Sequence, residues 1–173
     1  FCYLSFVVVS RPFLNFQWDL LLLEVVLVSF LFFPWVTKEK VGYFQQSNSI
    51  GRWLVWLLLF KLMFESGVVK FTYFGADGSN HWIDLSALNF HFWTQPIPTK
   101  FSWYFHWLPN WFHKTSLVIT YLVELILPFF IFFPRRFRNI SCAGIFFLQV
   151  MIIFIVNYLV LNLRAIVLSL ILM

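Results

Sequence analysis

The chain has 173 residues, of which 61% are hydrophobic, 23% aromatic and only 11% charged, with a formal net charge of +5. Its mean hydropathy of +0.83 is too high for a soluble domain of this size to hide in one core, so composition points to an integral membrane protein. The basic excess is no sign of nucleic-acid binding, because the cations sit at the ends of apolar runs, where they orient a membrane chain.

Residues 1–10 are apolar but too short to span, and Arg11-Pro12 ends them; they fit the last turns of a helix or an interfacial piece. The chain opens without Met and stops inside an apolar run, which is read as an internal fragment of a longer protein. Residues 16–33 form the first expected span and carry Asp19 and Glu24. A carboxylate near mid-helix costs about 2.5–3.5 kcal/mol on insertion scales, so Glu24 is expected to face protein, water or a cation. Pro34-Trp35 ends this span, and a polar connection with Lys38 and Lys40 follows.

Residues 51–69 form the second span, bracketed by Arg52 and Lys70. Inside it Lys61 and Glu65 are spaced to share one helix face, either as a structural ion pair turned into the bundle or as part of a polar site. The third span, 116–133, has Glu124 near its centre and Pro128 positioned to kink it. Arg135, Arg136 and Arg138 follow. The fourth span, 141–163, contains Asn157 and Asn162; residues 166–173 either open a fifth or continue the fourth past a break near Asn162.

Placing the Arg135, Arg136, Arg138 connection in the cytoplasm puts Lys38, Lys40 and Arg52 on the same side. The long segment 71–114 then lies on the lumenal or extracytoplasmic face, and the Asn139-Ile140-Ser141 acceptor triplet on the cytoplasmic one, unmodified. The expected architecture is an all-α integral membrane protein, a multi-pass helical bundle with a large extramembrane aromatic loop. It is read as one transmembrane domain.

Residues 71–114 concentrate Trp, His and Pro. Gly75-Ala76-Asp77-Gly78 is a turn signal. Trp103, Trp107 and Trp111 recur every fourth residue and share a face if 101–112 is helical. Such a helix suits either an aromatic belt in the headgroup plane or a partner- or ligand-binding surface. The spacings of His81, His91, His106 and His113 match no zinc pattern, and Cys2 and Cys142 lie in or beside apolar runs. No serine occupies a Gly-x-Ser-x-Gly turn and no phosphate-binding glycine loop is present, so no metal, cofactor or catalytic residue is assigned.

A series of short blocks resembles the lipase maturation factor family. They include Phe16-Gln17-Trp18-Asp19, Arg52-Trp53-Leu54, Lys61-Leu62-Met63-Phe64 and Gly67-Val68-Val69-Lys70. Trp82-Ile83-Asp84-Leu85, His91, Thr94-Gln95-Pro96, Ser102-Trp103-Tyr104, Glu124-Leu125, Pro134-Arg135-Arg136, Asn157-Tyr158 and Asn162 continue it in order. The resemblance implies a multi-pass protein of the endoplasmic reticulum membrane, or of a bacterial inner membrane for a prokaryotic source. It implies a chaperone-like, non-enzymatic role in folding and assembling secreted homodimeric lipases, with membrane lipid and a lipase client as partners and no nucleic acid. Family members often carry Cys where His81 and Ala87 stand, so no redox role is implied here.

On this reading the candidate client-facing residues of the loop are Trp82, Asp84, His91, Thr94, Gln95, Pro96, Trp103 and Tyr104. The alternative is a multi-pass membrane enzyme or transporter whose polar site gathers Glu24, Lys61, Glu65, Glu124, Asn157 and Asn162.

Overall fold

A computed structural model describes residues 2–10, 17–32, 49–75, 78–95, 97–156 and 158–172. The described residues are helical apart from connections, with a single isolated bridge between Pro98 and Val156. The chain forms two compact units, Phe1–Leu58 and Leu59–Met173.

In the first unit α1 spans Cys2–Val9 and α2 spans Gln17–Phe32. Ser29 returns its hydroxyl to the Val25 carbonyl at 2.7 Å, which satisfies a polar group on an otherwise apolar helix. Helix α3, Ser49–Thr72, contributes to both units. In its first part Trp53 and Trp56 lie with ring centroids 4.9 Å apart. The Lys38 and Lys40 connection, like Pro34-Trp35, falls outside the described residues.

In the second unit, α3 is followed by a turn region and three shorter elements: α4 (Ala87–Thr94), α5 (Lys100–His106) and α6 (Asn110–Tyr121). The axis of α6 continues through a π-helical stretch, Leu122–Ile126, and a 3₁₀ stretch, Leu127–Phe132. Pro128 explains that change of winding. It has no N–H to give to the carbonyl four residues back, and its ring crowds that carbonyl. The ladder widens ahead of it, with Leu127 N–H reaching Leu122 O, and tightens after it. The kink expected at Pro128 is therefore a local rewinding.

Helix α7 runs Arg135–Ile155 and α8 runs Leu159–Ile171. The sequence placed the interruption of this region near Asn162; it lies earlier, at 156–158, where Val156 is extended and pairs with Pro98. Ser141, Cys142, Ile145, Leu148 and Gln149 form the buried stripe of α7, at the spacing of one helical face. Asn162, Ala165, Leu168 and Ser169 form that of α8. The two helices pack antiparallel: Arg138 Nε, in the first turn of α7, donates to the Leu172 carbonyl at the end of α8 over 3.0 Å. That contact fills one of the orphan carbonyls of a helix C-terminus with a cation, as the helix dipole favours.

Small residues set how closely these helices approach. A Cβ at Gly67 would stand 2.5 Å from Leu125 Cδ2 and 3.2 Å from Glu124 Cβ, and one at Gly144 would collide with Leu127 Cδ1. The stretch 110–132 and helix α7 are long and apolar enough to cross a bilayer, at 23 and 21 residues.

The close approach at Gly67 gives a direct prediction. Gly67→Val should destabilise the unit by about 1–3 kcal/mol through overpacking against the π stretch. Unfolding in mixed micelles, followed by helical circular dichroism, measures this; a wild-type midpoint for Gly67→Val would contradict it.

Candidate functional site

The polar centre of the second unit forms where the last turns of α3 meet the π stretch. Glu124 is only 4% exposed. Lys70 Nζ lies 2.5 Å from its Oε2, and Ser66 Oγ donates to its Oε1 over 3.2 Å. The same ammonium donates to the Ser66 carbonyl at 2.9 Å, capping the C-terminus of its own helix. Ser66 and Gly67, the two small residues of this turn, leave the room that the carboxylate occupies. In such a pair the attraction and the added hydrogen bonds offset the desolvation cost of burying both charges, and the contact fixes the register of the two helices.

The turn after α3 is built on the same cation. Asn80, buried, donates its amide to the carbonyls of Lys70 and Phe71 at 3.1 and 3.3 Å. Its Oδ1 accepts from the N–H groups of Trp82 and Ile83 at 3.0 and 3.3 Å. One side chain thus closes the end of α3 and opens the turn 81–85. Gly78, at φ +76°, donates its N–H to the Gly75 carbonyl at 3.0 Å, so the turn signal marks a turn whose end needs glycine.

Trp82 is thereby held with its ring centroid 5.5 Å from Lys70 Nζ. Tyr121 hydroxyl donates to the Trp82 carbonyl at 2.6 Å, and His91 meets the indole edge-on at 6.0 Å. Burial first, then the charge of Lys70, holds the His91 imidazole below its usual value of 6.5.

A second polar cluster closes the far end of α7. The Ile155 carbonyl, one of the orphans of that helix end, accepts from Gln95 Nε2 at 3.4 Å, from Thr99 Oγ1 at 3.2 Å and from Ser102 Oγ. Thr99 Oγ1 also donates to the Phe154 carbonyl at 2.5 Å. Thr99 and Ser102 form a reciprocal capping box at the start of α5. The central segment therefore docks at the end of α7 opposite Arg135, Arg136 and Arg138, roughly 30 Å away at 1.5 Å per residue.

His113 is the third fastening. It is buried, with Nδ1 2.7 Å from Asn89 Oδ1 of α4 and Nε2 2.9 Å from the Phe105 carbonyl of α5, so one ring joins three helices. His81 instead closes its turn against the Ser86 and Ser79 hydroxyls at 3.1 and 3.4 Å. Among the described residues no three His, Cys, Asp or Glu side chains stand together as a metal site would require.

The loop residues singled out from sequence divide into two sets. Trp82, His91 and Gln95 are engaged inward, and the Thr94 hydroxyl returns to the Phe90 carbonyl at 2.9 Å. Asp84, Thr94, Trp103 and Tyr104 are exposed. Pro96 lies outside the described residues. Residues 101–112 are not one helix: α5 ends at His106 and α6 begins at Asn110, because Pro109 cannot continue a helical ladder. Trp103 and Trp107 still meet, with centroids 5.6 Å apart.

Of the polar residues expected to converge in the bundle, Glu124 is buried in the ion pair and Asn162 is buried on α8. Lys61 and Glu65 are exposed on α3 rather than turned inward. Glu24 belongs to the first unit, and Asn157 lies outside the described residues. The cation that meets Glu124 is Lys70, which sequence reading treated only as the bracket of a span. Asn80 and His113 were likewise invisible as fastenings, because their partners are up to 24 residues away. A buried-pair signal existed only in the lone mid-span Glu124, which required some cation.

This arrangement, with a buried ion pair between apolar helices and a polar segment sealing one helix end, defines an all-helical membrane-domain protein. The family model described as the Lipase maturation factor transmembrane domain matches residues 1–173, and the chain belongs to the lipase maturation factor family. It is 43% identical over 169 residues to lipase maturation factor 2 of Gallus gallus, covering 96% of this chain and 23% of the relative. It is 40% identical to lipase maturation factor 2 of Homo sapiens over 176 residues, covering 96% and 24%. To lipase maturation factor 1 of Mus musculus it is 32% identical over 168 residues, covering 97% and 28%. The chain thus spans about a quarter of the length of these curated relatives. No solved structure matches it.

Two predictions follow from the ion pair and its surroundings. Lys70→Met or Glu124→Gln alone should destabilise by about 3–5 kcal/mol, since each leaves a buried partner unpaired, whereas the double variant should cost clearly less than the sum. A thermodynamic cycle in mixed micelles measures the coupling, and strictly additive effects would refute the pairing. The lowered His91 value means that the folded state disfavours the imidazolium. Its contribution is fully present above pH 6.5 and is lost as pH falls through the lower folded value. His91→Gln should therefore flatten the stability profile below pH 6.5; an unchanged acid slope would contradict the assignment.

Proposed function

We propose that this chain is the multi-pass membrane part of a factor that helps secreted homodimeric lipases fold and assemble in the endoplasmic reticulum. The observation that carries the reading is the family match along residues 1–173, together with relatives whose name states lipase maturation. The role is that of a non-enzymatic scaffold. In support, Glu124 is committed to Lys70 and Ser66, and His113 to Asn89 and Phe105. A carboxylate held in that way stabilises helix packing.

In this reading the spans about 16–33, 51–69, 116–133 and 141–163, with a further one from 166, hold the loop 71–114 on the lumenal face. Two features support that sidedness: the Arg135, Arg136, Arg138 cluster at one end of α7 and the docking of the loop at the other. Of the residues singled out in the loop, Asp84 is exposed and charged, on a turn whose start Asn80 ties to the end of α3, and it is our candidate for client contact. Of the intramembrane polar set, Glu124 is assigned to structure through its ion pair.

Disrupting the gene for the complete protein should lower the specific activity of a secreted dimeric lipase while a secreted monomeric lipase is unaffected. Re-expression of the wild type should restore it, and Asp84→Arg should restore it less well at equal abundance. Unchanged activity of the dimeric lipase after disruption would refute the maturation role.

A further inference from the structure

The structure places a strongly exposed aromatic surface at the junction of α5 and α6. Trp103, Tyr104, Trp107 and Trp111 are 64, 70, 69 and 67% exposed. Exposed single apolar residues are ordinary, but four large aromatics on consecutive turns of a short stretch are not. We infer that this surface is a membrane-interface anchor whose partner is the headgroup–acyl boundary of the bilayer, and that Trp103 and Tyr104 face lipid and not a folding client. The inference rests on the reading of 110–132 and α7 as membrane spans.

The height of α5 follows from its two fastenings. At its start, Thr99 and Ser102 bond the Ile155 carbonyl, the last residue of α7, and Phe101 meets Phe154 with centroids 5.8 Å apart. At its other end the Phe105 carbonyl is bonded by His113 in the first turns of α6. Helices that follow one another across a tight turn at 133–134 run in opposite directions, so the end of α7 and the start of α6 lie at the same membrane face. Helix α5 bridges these two ends. Its seven residues span about 10 Å, which matches the 8–10 Å between the axes of packed helices. It therefore lies along the boundary plane, whatever the rest of the loop does.

The chemistry of the surface suits that plane. Trp107 and Trp111 flank Asn110, where the apolar stretch begins. No acceptor among the described residues takes the indole N–H of Trp103, Trp107 or Trp111, in contrast to Trp93, which donates to the Asn89 carbonyl at 3.3 Å. A largely exposed indole whose N–H meets no protein acceptor is best placed where acyl chains meet carbonyl and phosphate oxygens. Lys100 and Lys114, both exposed, can extend to the phosphates from either side of the patch. Ser102, 1% exposed, turns the other face of α5 to the end of α7, which leaves Trp103 and Tyr104 uncovered by protein.

The complete protein reconstituted in phosphatidylcholine vesicles tests this. The lipids carry bromine on their acyl chains either just below the headgroups or near the bilayer centre. Subtracting the emission of the W103F/W107F/W111F variant from that of the wild type isolates the three indoles, and phenylalanine at exposed positions leaves the packing intact. The expected result is loss of this difference emission to shallow bromines, smaller loss to deep ones and little to aqueous iodide. Adding a purified dimeric lipase should change none of these.

Quenching by iodide but by neither bromolipid would overturn the inference. So would shielding from iodide that appears only with lipase, which would assign the surface to the client. Extraction in alkaline carbonate separates the two levels. Release of the protein would refute the spanning reading itself, whereas a retained protein with iodide-accessible indoles refutes only the interfacial placement.

Discussion

The buried pair between Lys70 and Glu124 is the constraint on which the second unit depends. An uncompensated carboxylate between apolar helices is expensive, so Glu124 must find a cation, and the only geometry that brings Lys70 within 2.5 Å also fixes the depth at which α3 lies against the π stretch. Pro128 contributes from the other side. By denying a donor to the Glu124 carbonyl, it forces the wider winding over Leu122–Ile126 on which that side chain is mounted. Ser66 and Gly67 complete the site by being small, and Gly67 leaves no room even for a methyl group.

From this pair the polar contacts spread outward in a connected order. Lys70 lies against the Trp82 ring, Trp82 is bonded by Tyr121 and edged by His91, and Asn80 holds the backbone of the whole turn. At the far end of α7 a different problem is solved. The helix stops at Ile155, and its orphan carbonyls need donors that lipid cannot provide. Gln95, Thr99 and Ser102 supply them from the central segment. Gln95 and Ser102, one from each of the Thr94-Gln95-Pro96 and Ser102-Trp103-Tyr104 blocks, thus act through helix capping, a structural role that looks in sequence like a recognition motif.

The division of the aromatic segment into an inward and an outward set changes its meaning. His113, Phe92 and Ser102 bind α4, α5 and α6 into a small cap over the helix ends, with Phe92 and His113 rings 5.4 Å apart. The tryptophans remain outside it. A rigid cap with an aromatic rim can hold a polar turn, including Asp84, at a constant height above the membrane.

Composition and apolar run length by themselves determined the helical, membrane-embedded character of this chain, because those depend only on how much apolar surface each residue carries. Pro128 marked a disturbance in its helix, expected as a kink and found as a rewinding, since proline acts locally; the break at Pro109, inside 101–112, came only with the structure. The block series pointed to the family. Only the tertiary structure decided that Glu124 pairs with Lys70, that Asn80 and His113 are fastenings, and that Gln95 and Ser102 seal α7. Each of these rests on a side chain meeting another side chain or a backbone carbonyl up to 60 residues away, set by how helices cross, and no local periodicity encodes which distant donor a buried acceptor will meet.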